Sequence, residues 1–319
     1  MQLLRFCAAS ALLLPMCESF DGPPPVGQVK AVDPEAAALM ADALEYQKAG
    51  KVRKSRNALK ELTRYHALAP DAPQARYMLG KSYETTEDYR DAFKEYGKLI
   101  DRYPQSELYA DALNRQLAMA MDAASGRMKV PVLWGAWETT MESSVVISWL
   151  REIVEKAPYN DMAATASSIL AKFLLDQERP DEARMEYARL VEKYPDSRYA
   201  PDAQLMVAQL WASSHTRGDN NLVNLSNARE AYEEFNLRFP SHADASKALS
   251  EAANMEKLMV HQQLEVGRYY LERSEEYTSA IFCFEDVIRQ KETNPEAAAE
   301  AQKLLEKARA LAASINNNN

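Results

Sequence analysis

The groups in this sequence that could do chemistry stand too far apart to do it together. His66, His215, His242 and His261 are scattered, and none pairs with a cysteine or a second histidine at metal-ligand spacing. There is no Gly-rich phosphate loop and no Gly-x-Ser-x-Gly turn. Acidic residues number 47, but 38 Lys and Arg are interleaved with them, the pattern of solvated helix faces rather than of an isolated carboxylate pair. Cys7 and Cys17 lie in an apolar N-terminal segment, which leaves Cys283 alone in the body and rules out a disulfide framework. Its setting, Ile281-Phe282-Cys283-Phe284, predicts a buried apolar thiol. Arg217-Gly218-Asp219 spells an adhesion tripeptide, but Gly-Asp-Asn is ordinary loop composition. These residues predict no catalytic group, no metal site, no cofactor and no small-molecule substrate.

Two other segments carry distinctive side chains. From Ser125 to Trp137 the helical text is interrupted by two Trp, a Leu and two Val. So much apolar area is unfavourable in water, so the segment is expected to tuck into a groove, with Trp134 and Trp137 contributing to a partner-binding surface. At the N-terminus, MQLLRFCAASALLLPMC holds Arg5 and then an apolar run of about a dozen residues, within the signal-peptide range. It is shorter than the roughly 20 residues a spanning helix needs. Pro23-Pro24-Pro25 separates it from the body of the chain. Export is expected, with residues 1–19 as the signal and 20–34 as a Pro-rich tether. Two processing schemes stay open. Leu14-Pro15-Met16-Cys17 resembles a bacterial lipobox, with Met16 where Gly, Ala or Ser is usual and Cys17 as the lipidated residue. Alternatively, Cys17 and Ser19 supply the small residues for cleavage after Ser19.

The elements that must position these groups are helices. Ala, Leu, Glu, Arg, Lys and Met dominate, glycines number only 9, and alternating Val, Ile and Thr runs are nearly absent. A net charge of −9, with no basic face, excludes nucleic acid as a natural partner. Pro73 to Ser106 shows a stricter order: Leu79-Gly80 and Tyr83 on one helix, Ala92 and Tyr96 on the next, then Pro104. Two antiparallel helices approach closely only where a small residue sits at their crossing, and an aromatic then fills the space beside it. Ala183, Tyr187 and Pro195 repeat the second-helix set, as do Ala228, Tyr232 and Pro240. Gly267, Tyr270, Ala280 and Phe284 give a last pair with one extra residue in its turn. Ala43, Tyr46, Ser55 and Leu59 hold a looser first pair, and a third is split between 108–124 and 143–157. A second interruption is expected from His215 to Ser226.

This is the pattern of the tetratricopeptide repeat, two helices in about 34 residues. The expected fold is all-α, a superhelix of five to six helical hairpins over residues 35–315, with a disordered tail at 316–319. Tyr83, Tyr96, Tyr187 and Tyr232 are expected as core spacers. Such arrays offer a concave face for protein partners.

The joints between hairpins carry a narrower signature. Tyr103-Pro104-Gln105-Ser106-Glu107-Leu108-Tyr109-Ala110-Asp111-Ala112 recurs as Tyr194-Pro195-Asp196-Ser197-Arg198-Tyr199-Ala200-Pro201-Asp202-Ala203. Phe239-Pro240-Ser241-His242-Ala243-Asp244-Ala245 is similar. The form resembles the BamD family of outer-membrane assembly lipoproteins. So do the insertion near 125–140 and the helix running into Val266-Gly267-Arg268-Tyr269-Tyr270. The resemblance implies a lipid-tethered scaffold at the periplasmic face of the outer membrane. Its implied partners are a BamA-type barrel protein and unfolded barrel precursors, with Arg268 and Tyr269 among the partner-binding residues. Phe282-Cys283-Phe284 departs from the family, which often carries an arginine in that helix. Periplasmic proteins of the Tol-Pal-associated type share the joint phrase, but often add an N-terminal coiled coil that this sequence does not show.

Overall fold

The computed structural model describes residues 32–132, 137–214 and 221–317. The expected signal segment with Cys17, most of the tether, Trp134, His215 and Arg217 to Asp219 lie outside the described residues. Two compact units divide between Met141 and Glu142. The first holds α1 (Pro34–Lys48), α2 (Val52–Tyr65), α3 (Ala72–Thr85), α4 (Tyr89–Arg102) and α5 (Tyr109–Ala124), then β1 (Lys129–Val132) and β2 (Trp137–Thr140). The second holds α6 (Ser143–Lys156), α7 (Asp161–Asp176), α8 (Pro180–Lys193), α9 (Ala200–Ser214), α10 (Asn221–Arg238), α11 (Ala245–Glu272), α12 (Tyr277–Arg289) and α13 (Pro295–Asn317). The expected all-α fold of helical hairpins is what forms, with each helix packed on its sequence neighbours within its unit. The two helices expected to form the split third hairpin, α5 and α6, fall on either side of the unit boundary.

Local chemistry sets the helix ends. Asp33 caps α1 by accepting the Ala36 N–H at 3.1 Å, and Pro34 starts the helix where a missing N–H does no harm. The turns inside four hairpins share one device: a residue in the left-handed region two positions before the second helix. It is Gly50 (φ 67°), Glu87 (φ 61°), Glu178 (φ 58°) and Glu275 (φ 54°). The next N–H then reaches back five residues to close the preceding helix, Lys51 to Tyr46 at 2.8 Å, Asp88 to Tyr83 at 3.0 Å and Arg179 to Leu174 at 2.9 Å. In the last hairpin, Glu276 reaches Tyr270 at 3.0 Å, one residue further back, which is the extra turn residue expected there. A glutamate strained at such a position is improved by glycine. Glu178→Gly is expected to raise stability by about 0.5–1 kcal/mol in chemical denaturation, and a loss instead would mean that the left-handed backbone there is not under strain.

The crossings are as tight as the repeat spacing predicts. A Cβ built on Gly80 would lie 2.6 Å from the Tyr96 ring, and one on Gly267 would lie 2.7 Å from the Phe284 ring. Tyr96 and Phe284 are fully buried, and Tyr83, Tyr187 and Tyr232 are buried with them, so these aromatics are the core spacers expected. Ser55 ties the first hairpin by donating to the Ala43 carbonyl at 2.9 Å. At the first joint the Tyr103 hydroxyl donates to the Ala67 carbonyl at 2.8 Å, and Ser106 Oγ accepts the Leu108 N–H at 3.2 Å. Tyr103 therefore ties this joint to the preceding one, while Ser106 holds the turn within the joint. In the second joint, Tyr194 Oη and Ser197 Oγ are buried without a hydrogen-bond partner among the described residues.

Three expectations need correction. The insertion is not irregular apolar packing: Lys129↔Thr140 and Val132↔Trp137 bound the register of an antiparallel β-hairpin. All four residues of β2 are exposed, because a two-stranded ribbon has no facing layer to bury them. The second interruption is shorter than expected, since α10 begins at Asn221. Likewise α13 runs on to Asn317, two residues into the stretch read as tail. With Ala297, Ala301, Leu305 and Ala308 buried against Leu264, Phe284 and Val287, α13 covers the apolar face the last hairpin would otherwise expose.

Candidate functional site

The structure disperses the residues that the sequence singled out. Trp137 is 65% exposed on β2, so the expectation that it packs into a groove fails, and Trp134 lies outside the described residues. Arg268 is half-buried, paired with Glu265 at 3.0 Å and with Glu300. Tyr269 is exposed and meets Tyr270 edge-on, with ring centroids 6.1 Å apart. Cys283 is half-buried rather than buried. Burial, reinforced by Asp286, pushes its thiol pKa up, the opposite of what an attacking thiolate needs. Among the described residues, no group of three or more His, Cys, Asp or Glu could hold a metal ion, and no helix is long and apolar enough to cross a membrane.

What the helices do assemble is recognition surface. In the first unit, Val52, Ser55 and Leu59 of α2 face Met78 and Ser82 of α3 across a groove of about 380 Å³. Arg56 locks one wall: its Nε donates to Ser82 Oγ at 2.9 Å, a terminal nitrogen donates to the Ser82 carbonyl at 2.6 Å, and the guanidinium lies 4.3 Å over the Tyr83 ring. A second, charged recess of the same unit holds Glu84 between Arg115 and the Tyr96 hydroxyl, which donates to it at 2.9 Å. Desolvation and the Glu84 charge hold that hydroxyl well above the ordinary tyrosine range.

The larger concavity, about 510 Å³, lies in the second unit. Its walls are the second helices of successive hairpins, α8 with Ala188, Val191 and Glu192, and α10 with Glu230, Ala231 and Glu234. Gln204, Val207 and Trp211 of α9 form the floor. Trp211 is held by Arg184, whose guanidinium stacks 3.6 Å from the ring. Gln204 is fixed through the Ala231 carbonyl at 3.4 Å and Glu234 at 3.1 Å. This groove was not expected from the sequence. Its one signal was Val207 and Trp211, four residues apart on α9 at the places that Leu79 and Tyr83 hold on α3, with Trp where the first-unit hairpin has Tyr.

Comparison with known proteins finds tetratricopeptide repeats in each unit. Residues 40–107 match one tetratricopeptide-repeat family and residues 166–197 a second. No curated protein sequence matches. Solved structures similar to this chain include MamA (41-end) from Desulfovibrio magneticus RS-1, 15% identical over 67% of this chain and 99% of that one, TM-score 0.29. A tetratricopeptide repeat protein from Parabacteroides merdae is 10% identical over 86% of this chain and 99% of that one, TM-score 0.30. PilF of Pseudomonas aeruginosa is 14% identical over 86% and 99%, TM-score 0.29.

Proposed function

From an all-α chain of tetratricopeptide-repeat hairpins, we propose a non-catalytic scaffold of the cell envelope that serves the assembly of outer-membrane β-barrel proteins. Repeats of this kind bind protein partners through the surfaces their stacked helices create. The envelope assignment rests on one observation, the joint phrase at Tyr103 to Ala112 that recurs at Tyr194 to Ala203. On this reading the partners are a BamA-type barrel protein and unfolded barrel precursors. The chain sits at the periplasmic face of the outer membrane by a lipid on Cys17, or is soluble in the periplasm after cleavage behind Ser19. Exposed Trp137 is then offered to a partner, together with Tyr269.

The test is affinity purification of the full-length protein from detergent-solubilised envelopes. A BamA-type barrel protein in the eluate is the expected result, and consistent recovery of Tol-Pal components instead overturns the assignment. Trp137→Ala should leave the melting temperature unchanged, since an exposed side chain contributes little to folding, while it weakens that recovery. Palmitate incorporation that Cys17→Ala abolishes establishes the anchor, and no incorporation in the parent chain leaves the soluble form.

A further inference from the structure

We propose that the groove between α8 and α10 receives a basic amphipathic segment of a partner protein, one large apolar side chain flanked by Lys or Arg. This names the partner's chemistry at one surface and rests on the reading of the chain as a protein-binding scaffold. The surface lies between the second helices of neighbouring hairpins, and its lining includes none of Trp137, Arg268 and Tyr269.

Two features of the groove specify its occupant. The first is its apolar lining: Val191, Val207 and Ala231 are buried in its walls and floor, and Ala188 is exposed at its lip. The Trp211 ring is held in place by Arg184, so an incoming side chain meets a preformed surface rather than one it must order. About 510 Å³ holds an anchoring side chain and part of the helical turn or strand that bears it. The second is charge. Glu192, Glu230 and Glu234 stand on the lining, where Arg238 is the one cation among the described lining residues and is already paired with Glu234 at 3.2 Å, while Arg184 is stacked on the Trp211 ring. Glu230 has Arg229 at 3.7 Å, and Glu192 makes no ion pair among the described residues. An acidic rim around an apolar floor disfavours acidic partners and steers basic ones, with most of the effect felt in association rate and salt dependence.

The probe is a fluorescein-labelled amphipathic Leu/Lys peptide, with its Leu/Glu counterpart, titrated by anisotropy against the full-length protein at physiological salt. The Leu/Lys peptide should bind and the Leu/Glu peptide should not. Glu192→Lys with Glu230→Lys should weaken binding by about tenfold or more, whereas the same two-charge reversal at exposed Glu61 and Glu107 should change it by less than about twofold. Ala188→Phe, which fills the groove from an exposed position and so leaves folding intact, should weaken binding to a similar degree. Equal effects of the two charge reversals, or full affinity in Ala188→Phe, would mean diffuse attraction to an acidic protein and overturn the proposal. If groove variants lose the peptide while envelope purification recovers no barrel partner, the groove stands and the envelope assignment falls. If they keep the peptide while the barrel partner is recovered, the reverse holds.

Discussion

Gly80→Leu is expected to destabilise the first unit by about 3 kcal/mol or more, close to the largest effect of any single overpacking change. The Tyr96 ring carbons would stand 2.6 to 2.8 Å from the first added carbon, well inside van der Waals contact. That ring has no way out. It is 0% exposed, packs against Tyr77 at 5.7 Å, and is tethered by its hydroxyl to Glu84. Gly80→Ala sets the same clash against a gain of about 1 kcal/mol in helix propensity, so its net loss is smaller, about 1 kcal/mol. Tyr96→Ala removes the other partner and costs about 3–5 kcal/mol through the cavity it leaves.

The two positions should be coupled, because each is shaped for the other. In a Tyr96→Leu background, Gly80→Ala is expected to be neutral or stabilising, with a coupling of about 1–2 kcal/mol. Urea unfolding followed by circular dichroism, fitted with a separate transition for each unit where two are seen, measures all four proteins. Additive losses across the cycle would show that the close approach of α3 and α4 does not need glycine.

The same crossing explains how much of the molecule was legible in the sequence. Gly80, Ala92 and Tyr96 could be read because helix contact demands a small residue and an aromatic at fixed spacing, whatever surrounds them. The β-hairpin was not legible for the complementary reason. Four-residue strands leave no measurable alternation, and Pro131 within β1 argues against a strand unless it lies at an edge, as it does here. Counting apolar residues put Trp137 inside, but burial depends on a facing layer, which a spelling of the insertion does not reveal. The strained turns at Glu87, Glu178 and Glu275 were hidden because only Gly50 occupies that position with the expected residue type. The groove beside Trp211 is made by three helices, and no single stretch of sequence contains it.

Arg76 and Glu95, on neighbouring helices, likewise read as two more charges among many, yet they form a buried pair at 2.7 Å and carry the second large prediction. Arg76 is 6% and Glu95 9% exposed, and Arg76 also donates to the Thr63 carbonyl at 3.2 Å. Arg76→Ala leaves the carboxylate buried with Lys98 as its remaining partner, at 2.6 Å, and is expected to cost about 3 kcal/mol. Replacing both residues together, Arg76→Met with Glu95→Leu, should cost far less, since no uncompensated charge stays inside. Acid separates these cases. Burial alone would push the Glu95 carboxyl up, but the hydrogen bond from Lys98, the Arg76 charge and the Arg76 hydrogen bond together hold it below its ordinary 4.5. A carboxyl depressed on folding contributes stability that is fully present above its unfolded pKa and disappears as pH falls through the folded value. Stability of the parent chain should therefore drop below about pH 4.5. Glu95→Gln, which cannot titrate there, should lose less than the parent between about pH 5 and pH 3, and Arg76→Ala should also show a shallower decline because its carboxyl is less depressed. Parallel acid profiles in the parent chain and Glu95→Gln would mean that this pair stays silent in the titration, and that the fold draws its acid sensitivity from its surface carboxylates.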